Sequence, residues 1–127
     1  MRIQTHMSID GSLCGKAVFL GPGEAEVAMT ATAAMAADDK GLVHGGFIFG
    51  MADYAAMLAV NHPNVVLGSA ETKFLKPVAV GELLLAKARV IQEAGKKRIV
   101  TVSVTRDGIE VVQGTFTCFV LEQHVLE

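Results

Sequence analysis

The segment from Gly45 to Val60 constrains this chain more than any other, because it is oily throughout and carries one charged side chain, Asp53. From Phe47 onward its other residues are apolar, small or the single Tyr54. A helix that is apolar on all sides is a buried helix, so the remaining residues must enclose it. A carboxylate inside such a helix, with no Lys or Arg within a turn or two, costs on the order of several kcal/mol in lost solvation. A charge kept there is expected to have chemical work. Asn61 and Pro63 end the helix, since asparagine tolerates a left-handed cap and proline cannot continue the hydrogen-bond ladder.

What surrounds the helix reads as β structure. Gly21-Pro22-Gly23 is a turn between two strand-like runs, Leu13 to Leu20 and Glu24 to Thr32, and the second alternates with a period near two. Ala33 to Val43 connects these to the helix. After it, Val65 to Val78 reads as a strand whose end Pro77 marks, and Gly81 begins another that runs to about Gln92. Gly95 turns the chain into a third, where Val100, Val102 and Val104 face one way and Thr101, Ser103 and Thr105 the other. Asp107-Gly108 is a two-residue hairpin turn, and the last strand runs from Ile109 to about Leu121. The expected order is two strands, one buried helix and a meander of four strands. This is an α+β architecture, an antiparallel β-sheet wrapped around one long central helix. A sheet covers only part of a helix, so its remaining face calls for another cover and at least a dimer is expected.

The chain's 127 residues make a single domain, 1–127, and 51% hydrophobic with 19% charged residues describes a chain that folds. A net charge of −2, with no basic run beyond Lys96-Lys97-Arg98, excludes the broad cationic face that sequence-independent nucleic-acid binding needs. Cys14 and Cys118 provide neither a disulfide framework nor metal-ligand spacing; they read as small buried hydrophobes in a reducing, cytoplasmic setting. No stretch near Met1 combines cations, an apolar run and a cleavage site, so no signal peptide is expected. The oily segment falls short of the about 20 apolar residues a membrane span needs, and neither membrane contact nor a metal or other cofactor is expected.

Candidate chemistry gathers at both ends of the line from His44 to Asp53. Gly45 and Gly46 either let a ligand approach the free N–H groups of the helix N-terminus or merely permit a tight connection. In the first case the Gly45 N–H is an oxyanion donor. His44 orients the loop, donates to a substrate carbonyl, or caps the helix with its ring. Burial raises the pKa of Asp53 toward the range useful to a base. Lys73 and Lys76 near the strand after the helix, with Lys96, Lys97 and Arg98 on one hairpin, either hold phosphates or protect strand edges. Met51, Met57, Phe47, Phe49, Leu58 and Phe74 are expected in the core, some of them lining a pocket, since methionine adapts to varied shapes.

The run His44-Gly45-Gly46-Phe47-Ile48-Phe49-Gly50-Met51-Ala52-Asp53 resembles the signature of hotdog-fold acyl-CoA thioesterases of the phenylacetyl-CoA thioesterase-like branch. Phe74-Leu75-Lys76-Pro77, followed by Gly81-Glu82, is similar to that family's strand and turn after the helix. The resemblance implies a hotdog fold and hydrolysis of a small aryl or short- to medium-chain acyl-CoA to free acid and coenzyme A. It makes Asp53 the general base or nucleophile and the Gly45 N–H the group polarising the carbonyl, with His44 and Gly46 beside it. It also implies homodimers with the active site at the subunit interface, pairing into homotetramers. In two places the chain departs from the family's pattern. Asp38 stands where Asn or Gln is usual, either as a second carboxylate near Asp53 or as a solvated loop residue. Met57 stands where some relatives have Ser or Thr, a role Ser69 would take over. Lys76 and Arg98 are candidate contacts for coenzyme A. A non-catalytic acyl-CoA-binding or sensing protein is the alternative. A hydratase is disfavoured, because no proline-containing loop precedes the helix.

Overall fold

The computed structural model describes residues 1–127. Its centre is helix α2, Gly45–Val60, with the bounds the apolar run predicts. His44 caps its start, and Asn61 closes its end in the left-handed conformation (φ 52, ψ 50), donating its N–H to the Met57 carbonyl at 2.8 Å. Met51, Ala55, Ala56 and Leu58 are wholly buried, as a helix without a polar face requires.

Six antiparallel strands wrap this helix: β1 (Lys16–Gly21), β2 (Glu24–Thr30), β3 (Val65–Phe74), β4 (Leu83–Ala94), β5 (Lys97–Arg106) and β6 (Ile109–Val120). Their order across the sheet is β1-β2-β4-β5-β6-β3, the architecture of a hotdog fold. This order corrects the expected meander of four strands. Only β4, β5 and β6 follow one another; β3 lies at the far edge and pairs with β6. Alternation identifies a strand but carries no information about its partner, so β3 was legible while its neighbour was not. Asp107 and Gly108 take positive φ (50 and 78), which a two-residue turn matched to the sheet's twist demands. Val27 and Met29 of β2, Leu84 and Ala86 of β4, and Phe116 of β6 are buried within the core that α2 shares.

Two boundaries also shift. Gly11–Cys14 forms a single helical turn, α1, because the Asp10 carboxylate accepts the Ser12 N–H at 2.8 Å and caps it, so β1 begins at Lys16 and not at Leu13. At the end of β3, Leu75 and Lys76 both donate their N–H to the Val111 carbonyl, which ends regular pairing before Pro77 is reached.

The chain's own N-terminal segment helps to cover the face of α2 that the sheet leaves open. The Asn61 side chain accepts the Gln4 N–H at 2.8 Å and donates to the Arg2 carbonyl at 2.9 Å. Thr5 is buried, Ile3 and Ile9 pack on the core, and Cys14 lies 3.9 Å from where a Gly50 side chain would begin. Part of the cover the sequence calls for thus comes from within the chain. Sequence patterning shows that a face needs cover but not what provides it. No helix is long and apolar enough to cross a membrane.

Candidate active site

Asp53 lies in the third turn of α2, with its side chain partly buried. Its Oδ1 is buried and has no hydrogen-bond partner, and no Lys, Arg or His forms an ion pair with it. Burial pushes its pKa up from 3.8 to about 6. The same charge acts outward on two thiols. Cys118, buried on β6, is pushed up to about 12, chiefly by burial and then by Asp53. Cys14 is raised by burial, then by Asp10 and Asp53. Both cysteines are free. Thiols donate weakly, so they compensate the carboxylate poorly. At neutral pH the outcome is an ionised, under-solvated oxygen available to take a proton.

The mouth of the helix is held differently. His44 Nδ1 accepts the Gly46 N–H at 2.8 Å, its carbonyl accepts the Phe47 N–H at 3.1 Å, and its own N–H donates to the Met35 carbonyl at 2.9 Å. Of the roles open to it, capping is the one the geometry displays. With Nδ1 accepting, a neutral ring carries its proton on Nε2. The Gly46 N–H is thereby occupied, whereas the Gly45 N–H has no acceptor in the protein. Both glycines answer to contacts within the chain. A Cβ at position 46 would lie 2.8 Å from His44 Nδ1, and one at position 45 would lie 3.1 Å from the Phe74 ring. Beside Gly45 opens a pocket of about 320 Å³, walled by Val43, Ile48, Phe74, Leu75 and Val78 and rimmed by Lys76. A larger hollow of about 650 Å³ lies against the strands' outward-facing Glu24, Lys87, Arg89 and Glu71. Helix α2 contributes nothing to that hollow, whereas its Gly45 and Ile48 line the smaller one.

The remaining candidates are scattered. Asp38 is exposed, and its Oδ1 accepts the N–H groups of Lys40 at 2.9 Å and Leu42 at 3.1 Å, ordering its own turn. Ser69 is exposed on edge strand β3, opposite Thr117. Arg98 donates to the Gly95 carbonyl at 2.7 Å and the Lys97 carbonyl at 3.1 Å and pairs with Glu93 at 3.4 Å, so it is tied to its hairpin. Its register partner is Cys118, whereas Phe74 pairs with Val112 opposite Val104. That offset is roughly 20 Å along the strands. Met57 and Leu58 are fully buried, and Phe74, expected in the core, is half exposed. The contact between Phe74 and Gly45 left no mark in the sequence, because it joins the end of one element to the start of another.

One distance organises the site. Asp53 follows Gly45 by about 12 Å of helical rise. Side chains lean toward a helix's N-terminus, yet that lean does not bring this carboxylate to a carbonyl held at the Gly45 N–H.

A model of the thioesterase superfamily matches residues 40–113. A methylthioribose-1-phosphate isomerase of Aquifex aeolicus is 53% identical over 123 residues, 96% of this chain and 27% of that protein. The transcription factor FapR of Caldanaerobacter subterraneus is 35% identical over 86 residues, 68% of this chain and 43% of that protein. The chain thus spans less than half the length of either curated relative. Among solved structures, an uncharacterized protein of Pyrococcus horikoshii is 53% identical with a TM-score of 0.99, covering 100% of this chain and 98% of that one. A mutant of the phenylacetic acid degradation protein PaaI of Thermus thermophilus is 32% identical with a TM-score of 0.79, covering 86% and 95%. A Streptococcus mutans protein bound to acetyl CoA is 26% identical, also at 0.79, covering 87% and 90%.

Proposed function

This chain belongs to the thioesterase superfamily, and we propose that it hydrolyses a small aryl or short- to medium-chain acyl-CoA to the free acid and coenzyme A. The observation that carries the reading is the buried, unpartnered Oδ1 of Asp53. Likeness to a phenylacetic acid degradation protein and to a protein bound to acetyl CoA supports the substrate class.

In the proposed reaction the thioester carbonyl accepts the Gly45 N–H, which stabilises the negative charge that develops on its oxygen. His44 stands beside it, and the Gly46 N–H serves indirectly by fixing the His44 ring. Asp53 takes a proton from water, whose oxygen adds to the carbonyl carbon. The tetrahedral intermediate then expels the coenzyme A thiolate, which picks up the proton. The about 12 Å of helical rise between Gly45 and Asp53 supports a site whose two groups come from different copies of the chain. A homodimer therefore completes each site, and the exposed edge of β3, from Gly68 to Lys73 and including Ser69, is the surface for its pairing. Dimers pair into tetramers, as the family resemblance implies, and residues 1–127 act as one unit. Lys76 at the pocket rim holds a phosphate of coenzyme A, and Arg98 serves from the partner's side. Asp38 shapes the turn before the helix.

The second reading, an acyl-CoA-binding or sensing protein without turnover, is favoured by the 35% identity to a transcription factor. The isomerase relative contributes no activity, since the match spans 27% of that protein. A thiol-release assay over aryl and aliphatic acyl-CoA substrates separates the two. Turnover that Asp53→Asn abolishes supports hydrolysis; tight binding without release of thiol supports sensing. Single-turnover hydrolysis in labelled water distinguishes attack by water from an anhydride at Asp53.

A further inference from the structure

Phe74 ends β3, opposite Val112, with 52% of its surface exposed. Its Cε1 lies 3.1 Å from where a Gly45 side chain would begin. The ring thus lies against Gly45, whose N–H has no acceptor in the protein. The pocket beside it has two kinds of wall. Val43, Ile48 and Val78 are buried and belong to the core, so they form a fixed floor. Phe74 and Leu75 are exposed (52% and 45%), so this part of the wall is less constrained by packing than the floor.

We infer that Phe74 is the specificity-determining residue, its ring closing the acyl pocket beside Gly45 and setting the length of acyl chain that fits. This rests on the proposed acyl-CoA reading of the same site. A carbonyl held by the Gly45 N–H directs its acyl chain into the pocket, where the ring is the first apolar surface it meets. Short chains end against the ring. Longer ones must displace it, which loses its contact with Gly45. The wall sets selectivity and takes no part in bond making.

The experiment compares acetyl-, butyryl-, hexanoyl- and octanoyl-CoA with the wild type, Phe74→Ala and Phe74→Leu. Val18→Ala, a truncation of an exposed residue on β1 away from the pocket, serves as control. The octanoyl-to-acetyl ratio of kcat/KM should rise at least tenfold in Phe74→Ala and less in Phe74→Leu, with Val18→Ala unchanged. Circular dichroism and native mass establish that each variant is folded, and Phe74→Leu carries the test should the alanine variant fail to fold. In parallel, the affinities of the matching non-hydrolysable CoA thioethers should show the same reordering. A ratio within twofold of the wild type in both measurements overturns the inference while leaving hydrolysis standing. Reordered thioether affinities with no turnover in any protein would overturn hydrolysis and leave Phe74 as the selector. Failure of every thioether to bind would overturn both.

Discussion

Two aspartates, Asp38 in the loop before α2 and Asp53 inside it, hold the same carboxylate in opposite ways. Asp38 is exposed and accepts two backbone N–H groups of its own turn. Asp53 keeps one oxygen buried with no donor, and burial raises both its own pKa and those of Cys14 and Cys118, which its charge pushes up further. Satisfaction is what separates them. A carboxylate whose lone pairs are taken by backbone amides in water is a structural fastener, and one stripped of water and left without donors is poised to accept a proton. The side chain is the same; the backbone and packing around it decide which it becomes.

The largest effect that sharpens this contrast is on turnover. Asp53→Asn should lower kcat/KM by about 10²- to 10⁴-fold, the usual contribution of a general base, while native mass and circular dichroism stay as in the parent. A variant that retains wild-type rates would remove Asp53 from the chemistry. Next is the pH dependence. Because the base must be ionised, kcat/KM should fall on the acid side with an apparent pKa of about 6. An acid limb near 4 would mean that the Asp53 carboxylate is solvated and would break the comparison.

Stability should respond in the sense opposite to a salt-bridged acid. The folded-state pKa of Asp53, about 6, lies above its unfolded value near 3.8, so the folded chain binds the proton more tightly. The stabilisation from that proton is complete below pH 3.8 and disappears as pH rises through about 6. Discounted for partial exposure, the difference comes to about 1–2 kcal/mol. Asp53→Asn should therefore exceed the wild type in stability by that amount at pH 8 in urea unfolding, and the gap should close near pH 3.5. An equal gap at both pH values would mean the carboxylate is solvated in the folded chain. The smallest effect belongs to the loop. Asp38→Asn keeps a carbonyl oxygen able to accept both N–H groups, so it should change stability by under about 0.5 kcal/mol and turnover by less than twofold. A large rate change across the acyl panel would move Asp38 from its turn into the site.

The parts of the fold legible in the sequence are those written over short spans. The apolar run Gly45–Val60 with Asn61 behind it set the helix to the residue, and Asp107-Gly108 set the last hairpin. Asp10 carries the signal of a capped helical turn at Gly11–Cys14, but so short a turn leaves no apolar periodicity to confirm it. The placement of β3 beside β6 and the N-terminal cover on α2 depend on contacts between residues far apart in the chain. At the candidate site, the isolation of Asp53 was visible because no cation lies near it in sequence. So were a cap from the His44 ring and free N–H groups at the helix mouth, as readings left open; the Phe74 ring against Gly45 was not, since it depends on where the end of β3 meets the start of α2.

By itself the sequence determined that an all-apolar helix would be wrapped by antiparallel strands and would carry one acid in its interior, because helix and strand periods and stop signals act over a few neighbouring residues. Only the tertiary structure decided that this acid would lack a donor, that the helix would take part of its cover from its own N-terminus, and that the Gly45 amide would stand about 12 Å of helical rise from Asp53. Desolvation and hydrogen bonding depend on which atoms arrive from elsewhere in the chain, and no local pattern specifies them.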